Sequence, residues 1–328
     1  MSDNEFDTSQ PQSGLDTKGG RDREILEKLA FAALNEQRAR RRWGILLKLL
    51  TLTVIVFGLW LAFDDGAVDM ENIGRHTALV VVDGTIEADG KASAESIIGA
   101  LDKAYSSNSS VGVVMRINSP GGSPVQAGMV NSEMQRLRSV YPDKPLYVVV
   151  DEMCASGGYY IAAAADKIYV DKASIVGSIG VLMDGFGFTG LMEKLGVERR
   201  LLTAGQNKGF MDPFSPQSQM QKDYALEMLK EIHQQFIDVV RKGRGKRLKE
   251  TPETFSGLFW TGARAVDMGL ADGFGTVDSV ARDILKADDI VDYTQHEGLP
   301  ERVLKKFGAA VGSGAVKSLT GAGRLVLH

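Results

Sequence analysis

The chain has 328 residues, 44% apolar and 24% charged, enough for one large domain or two ordinary ones. Its formal charge of −4 gives no reason to expect a nucleic-acid partner. The single cysteine, Cys154, excludes an internal disulfide framework and any multi-cysteine metal site.

Residues 1 to about 20 are polar and read as disordered. Arg21 to Arg42 have near-helical apolar spacing and end in a basic run, so that residues 1–42 form a disordered and helical arm. Residues 43–63, WGILLKLLTLTVIVFGLWLAF, carry one charge, Lys48, over a length that spans a bilayer core at helical rise. Arginines precede this run and Asp64 and Asp65 follow it, which predicts a cytoplasmic N-terminus, contact with membrane lipid through 43–63, and a folded domain outside the cytoplasm. About 42 residues before the apolar run are too many for an ordinary cleaved leader.

Beyond a linker at 64–76, strands alternate with helices. Strands are predicted at Ala78–Val82, Val111–Ile117, around Val148–Val150, at Lys167–Val170 and at Glu198–Leu202. Helices are predicted at Ser93–Tyr105, Pro124–Val140, Ile161–Ala165, Leu191–Leu195 and Gln217–Lys242. A last strand-and-helix unit falls within Phe255–Ile284. The alternation predicts an α/β fold with a mostly parallel sheet over residues 77–287, followed by a flexible tail at 288–328. On the long helix, Met220, Tyr224, Met228, Ile232, Phe236 and Val240 recur at four-residue steps, a stripe suited to core or subunit contact. His233 stands beside it among polar residues and reads as a surface side chain.

Two segments end buried strands. Ser156, in Val148–Tyr160 (VVVDEMCASGGYY), sits where a strand feeds a helix, so it is either an N-cap or a nucleophile beside free amides. Asn118 to Gly122 (NSPGG) is either an ordinary turn or half of an oxyanion hole with Gly157. Ligands of open parallel sheets bind at the carboxyl ends of strands, where both segments lie. A serine nucleophile needs a base, yet His76, His233, His296 and His328 all lie outside the central portion. A neutral lysine can serve instead, and Lys208 stands in a Gly-bounded loop, although loop lysines are ordinarily surface residues.

In order and spacing, RINSPGGS, VDEMCASGGYYIA, VGSIGVL and TAGQNKGF resemble the short, membrane-anchored bacterial form of the signal peptide peptidase A family. The likeness covers roughly residues 75 to 287. It implies the fold shared by the Clp protease subunit and the crotonases, and a Ser-Lys peptidase that degrades leftover signal peptides. It also implies Ser156 as nucleophile, Lys208 as base 52 positions on, Ser178 as the hydroxyl that supports the lysine, and Gly122 and Gly157 as oxyanion donors. Rings of subunits, here a homo-octamer with shared sites, are implied as well; no metal or cofactor is. A crotonase-like acyl-thioester enzyme needs neither Ser156 nor Lys208, and a non-catalytic membrane scaffold would use Ser156 only as a cap.

Overall fold

The computed structural model of the chain describes Lys28, Phe31, residues 40–58 and residues 74–295. The chain divides into one unit of residues 1–67 with 298–328 and another of residues 68–297. In the first unit, residues 40–58 form helix α1. The sequence predicts a bilayer span at 43–63, but residues 59–63 lie outside the described residues. Among the described residues no helix is long and apolar enough to cross a membrane, and α1 includes Arg41, Arg42 and Lys48 along with its apolar run. Most of the arm at 1–42 and the segment from 296 onward also lie outside them.

The second unit is built on one eight-stranded sheet. Its strands are β1 (His76–Asp83), β2 (Ser110–Ser119), β3 (Leu146–Ala155), β4 (Lys167–Val170), β5 (Ile175–Gly177), β6 (Phe259–Thr261), β7 (Gly273–Phe274) and β8 (Ile290–Asp292). The main path runs β6-β5-β3-β2-β1-β8. β3 pairs with β4 along its first half and with β5 at its end, and β7 lies beyond β4. All pairs are parallel except β5 with β6. The α/β fold with a mostly parallel sheet is therefore as the alternating pattern predicted.

The connections are α2 (Ala94–Ser106), α3 (Pro124–Val140), α4 (Gly157–Ala162), α5 (Thr189–Lys194), α6 (Gln219–Arg244) and α7 (Gly262–Asp267), then the short helix α8 (Val277–Ser279) and a π-helical turn, Val280–Leu285. Capping sets several starts: the Ser93, Ser123 and Ser218 hydroxyls accept from the amides of Ser96, Gln126 and Gln221. Val80, Val82, Met115, Ile117, Val148 and Val150 are buried in the main core with α2, α3, α4 and part of α6. Val114, Val149, Tyr169, Val280 and Leu285 form a smaller cluster on the other face. Covering both faces explains why β1, β2 and β3 read as nearly continuous apolar runs.

Two local expectations are corrected. Glu198–Leu202 is not a strand; it has no neighbouring strand to complete a ladder, and Leu202 is 96% exposed. The sheet also continues past residue 287, since β8 pairs with β1 through Thr77–Leu79, and the buried Tyr293 hydroxyl meets His76 Nε2 at 2.9 Å. The stripe on α6 divides along its length. Phe236 and Val240 are buried as the stripe predicts, whereas Met220 and Tyr224 are exposed, because the first turns of α6 are not covered by the sheet core.

The far end of α6 is held by a buried ion pair. Arg244, with a fully buried side chain, meets Asp272 at 2.8 Å and donates from Nε to the Gly269 carbonyl. Asp272 also accepts from the Ile168 amide at 2.7 Å and meets Arg247 at 3.0 Å. Burial pushes the Asp272 carboxyl up, but the Arg244 bond and charge, the Ile168 amide and Arg247 outweigh it and hold it below the usual carboxylate range. Removing one member of such a pair leaves a buried charge, so Asp272→Asn is expected to lower stability by about 3–5 kcal/mol in denaturant titration. Because the folded form holds the depressed value, the contribution is present above the ordinary carboxyl value of 3.8. It is lost as pH falls through the lower folded value, and an acid-unfolding curve of the Asn variant should lack that portion.

Candidate active site

The site forms where β2, β3 and β5 end. Three residues of β3 are spent opposite one of β2 between the pairs Ile117–Val150 and Ser119–Cys154, an irregularity that sets the last turn of β3 against the NSPGG segment. Beside it, Ala155 pairs with Gly177, and the Ser156 amide donates to the Gly177 carbonyl at 2.9 Å. Ser156 and Ser178 are thus neighbouring residues at the carboxyl ends of adjacent parallel strands.

Both serines have left-handed backbone, with φ of 51° at Ser156 and 49° at Ser178. For a non-glycine residue this costs on the order of 1–3 kcal/mol and persists only where surroundings over-determine it. Ser156 stands at the N-cap position of α4, yet its side chain makes no capping hydrogen bond. The cap reading of the sequence therefore does not hold: the hydroxyl is not used by the helix it precedes.

Three hydrogen bonds, to Ile86 and Ser119, pin the NSPGG loop. Ile86 donates its amide to the Gly121 carbonyl at 2.9 Å and accepts from the Ser123 amide at 2.8 Å. The Ser119 hydroxyl accepts from the Gly121 amide at 3.1 Å. Gly121 adopts φ +103°, and a Cβ there would stand 2.7 Å from both the Gly157 amide nitrogen and Ser156 Cβ. Glycine is required by conformation and by space. Among the described residues, neither the Gly122 nor the Gly157 amide donates a hydrogen bond to another protein group. Asn118 donates to Asp83 at 3.2 Å and so serves the strand ends.

These groups share a cleft of about 540 Å³. Its wall includes Gly122, Ser156, Gly157 and Ser178, with Val181, Leu182, Ile232 and Phe236 as apolar lining and Gln235 and Ser256 as polar lining. Four of the five residues singled out in the sequence are brought together here. Lys208 is not. It is exposed, in a turn closed by its own amide on the Gly205 carbonyl at 3.1 Å. Its loop is seated at the start of α6, where Phe210 meets Tyr224 edge to face at 5.7 Å. From Tyr224 to Ile232 and Phe236 is roughly 12–18 Å along a helix axis, two to three turns, at the usual rise per residue. Lys208 is not among the residues that line the cleft.

The sequence reading gave no site role to several side chains of this region. Asn131 of α3, almost fully buried, donates to the Tyr160 carbonyl at 2.7 Å, a carbonyl that the six-residue α4 leaves without a helical partner. Gln135 bonds Asn131, and Lys242 of α6 bonds Gln135 at 2.7 Å. His233 is not on open surface; its Nε2 lies 3.1 Å from the Ile179 carbonyl. Gly121 lies in the NSPGG segment, read as either a turn or half of an oxyanion hole, and its close approach to Ser156 spans 35 residues of chain. Cys154 is fully buried and its thiol is pushed up by burial, which leaves it unreactive packing.

A family model described as Peptidase family S49 matches residues 139–290. A relative from Methanocaldococcus jannaschii, provisionally named a protease, is 32% identical over 212 residues, which are 63% of this chain and 67% of that protein. The chain belongs to peptidase family S49, the signal peptide peptidase A family. Within it, a provisionally named signal peptide peptidase of Enterococcus faecium is 31% identical over 200 residues, 61% of this chain and 58% of that protein. A Brucella abortus protein named a Na(+)/H(+) antiporter is 45% identical over 187 residues, 57% of this chain but 25% of that protein. This chain thus spans a quarter to about two thirds of these relatives. The S49 match contains Ser156, Gly157, Ser178 and Lys208, whereas Gly121 and Gly122 precede it.

Gly121→Ala would drive a Cβ into the Ser156 corner. The variant is expected to lose at least about 100-fold in peptide hydrolysis, as small misplacements of reacting groups do, with retained folding by circular dichroism.

Proposed function

We propose that the chain is a membrane-tethered serine endopeptidase acting on cleaved signal peptides and similar apolar peptides. The observation that carries this reading is Ser156: a strained serine whose hydroxyl caps nothing, facing a cleft beside two unused backbone amides. Membership of a peptidase family supports it. So do the apolar residues of the cleft wall, Val181, Leu182, Ile232 and Phe236, which suit apolar peptide side chains.

In this reading Lys208 Nζ, in its neutral form, takes the proton from Ser156 Oγ as that oxygen attacks the scissile carbonyl. The Gly122 and Gly157 amides bind the developing oxyanion, each contributing about 10²–10³ in rate as such donors do. The lysine then gives its proton to the leaving amine, and water, deprotonated by the same lysine, releases the acyl group from Ser156. Ser178 orients the lysine. Residues 43–63 serve as a single-pass inner-membrane tether, with the N-terminus cytoplasmic and the catalytic domain outside.

Lys208 does not line the cleft of its own chain; in the proposed ring, a homo-octamer as the family resemblance implies, a neighbouring copy supplies the base. Lys208 is exposed in the single chain. The same stretch presents Leu182, Phe186, Leu195 and Leu202 at 80%, 81%, 68% and 96% exposure, an apolar surface suited to such a contact.

Full-length chain in detergent provides the test. Ser156→Ala and Lys208→Ala are each expected to reduce hydrolysis of a fluorogenic apolar peptide by at least about 10³-fold, as loss of a nucleophile or its base does. Co-assembling the two inactive variants in equal amounts should restore about a quarter of the parental activity, because a site needs one intact serine from one copy and one intact lysine from the next. Mixing that restores nothing would place the dyad within a single chain or remove it, and full activity in either variant alone would refute the dyad.

A further inference from the structure

The Ser178 corner is a strained segment whose peptide groups are tied one after another. The Gly177 carbonyl accepts from the Ser156 amide at 2.9 Å, the Ser178 amide donates to the Leu258 carbonyl at 2.8 Å, and the Ser178 carbonyl accepts from the Gly180 amide at 2.9 Å. The next carbonyl, that of Ile179, has no backbone donor among the described residues. It is met only by His233 Nε2 at 3.1 Å, from the middle of α6, 54 residues away in sequence. Ile179 is fully buried. A carbonyl oxygen can only accept, so Nε2 carries the hydrogen, in the neutral Nε2–H tautomer or in the imidazolium alike.

The anchor point on α6 is itself fixed. Three residues on, Phe236 packs against Tyr160 of α4 with ring centroids 5.1 Å apart. Two turns beyond, Lys242 enters the Gln135–Asn131 chain that ends on the Tyr160 carbonyl. The helix that braces α4, behind Ser156, is thus the helix that reaches the corner of Ser178.

We propose that His233 is a positioning residue for Ser178: its Nε2–H bond to the Ile179 carbonyl holds the left-handed corner in the geometry that supports the base. The inference rests on the reading of Ser178 as the hydroxyl that orients Lys208, and it adds the group that orients Ser178. Leucine at 233 keeps an apolar side chain on α6 but leaves a buried carbonyl unpaired, which frees the corner to move. Glutamine restores an N–H donor.

The experiment uses the full chain in detergent, with His233→Leu, His233→Gln and Ser178→Ala. Amide hydrogen exchange reads the corner without reference to catalysis. In His233→Leu the Ser178 and Gly180 amides should exchange at least about 10-fold faster while the β1–β2 core stays at the parental rate. Hydrolysis should show kcat lower by about 10- to 100-fold with KM changed less than threefold, the pattern of a misplaced catalytic group. His233→Gln should restore both readouts, and adding His233→Leu to Ser178→Ala should cost little further activity. The proposal is overturned by unchanged exchange at 178–180, by faster exchange spread over the whole domain, by a change in KM rather than kcat, or by a Gln variant as impaired as Leu. If the parent hydrolyses no peptide, the peptidase reading fails, and the exchange comparison alone still decides whether His233 holds the corner.

Discussion

The hydrogen bond from the Ser156 amide to the Gly177 carbonyl is the constraint on which the site depends. It closes the parallel ladder between β3 and β5 at its last step, and so aligns two strand ends from which two serines emerge. Parallel pairing alone would carry both chains straight on. Instead each leaves its strand through a left-handed residue, one turning into α4 and the other into the 178–180 corner. The strain at both positions is balanced by neighbours that leave no other conformation: Gly121 pressed against Ser156, and the Leu258 carbonyl on the Ser178 amide.

Holding such corners demands rigid backing, and that backing is α6. Its last turn is tied to β4 and β7 by the Arg244–Asp272 pair, and its middle packs Phe236 against α4. Its first turns seat the Lys208 loop through Tyr224 and Phe210. One helix thus spans from the lysine's support to the wall of the serine cleft.

Between Leu182 at the cleft wall and the Lys208 loop, the sequence runs through an exposed apolar segment. Residues 182–202 have strand-like and helix-like apolar content, but only α5 forms there, and its side chains find no core. Backbone without a ladder partner and apolar groups without a cover are costly in an isolated chain. In the proposed ring the same features become the contact that brings Lys208 to a neighbour's Ser156.

Much of this was legible in the chain itself. The alternation of strands and helices, the apolar runs of β1, β2 and β3, and the span of α3 follow from local periodicity and capping, which depend on residues a few positions apart. Motif order placed Gly122, Ser156, Gly157 and Ser178 at strand ends, and the parallel fold gathered them into one cleft. What periodicity could not determine were the relations between distant residues. Glu198–Leu202 has a strand's composition, yet a strand exists only if another lies beside it. Asp292 reads as tail composition, yet Ile290–Asp292 is a strand because β1 offers an edge. His233 has polar neighbours in sequence and a buried carbonyl in space. Sequence by itself determined which elements form and which residue types could do chemistry; tertiary structure decided which of them meet, because pairing, burial and strain arise only when segments far apart in the chain are packed together.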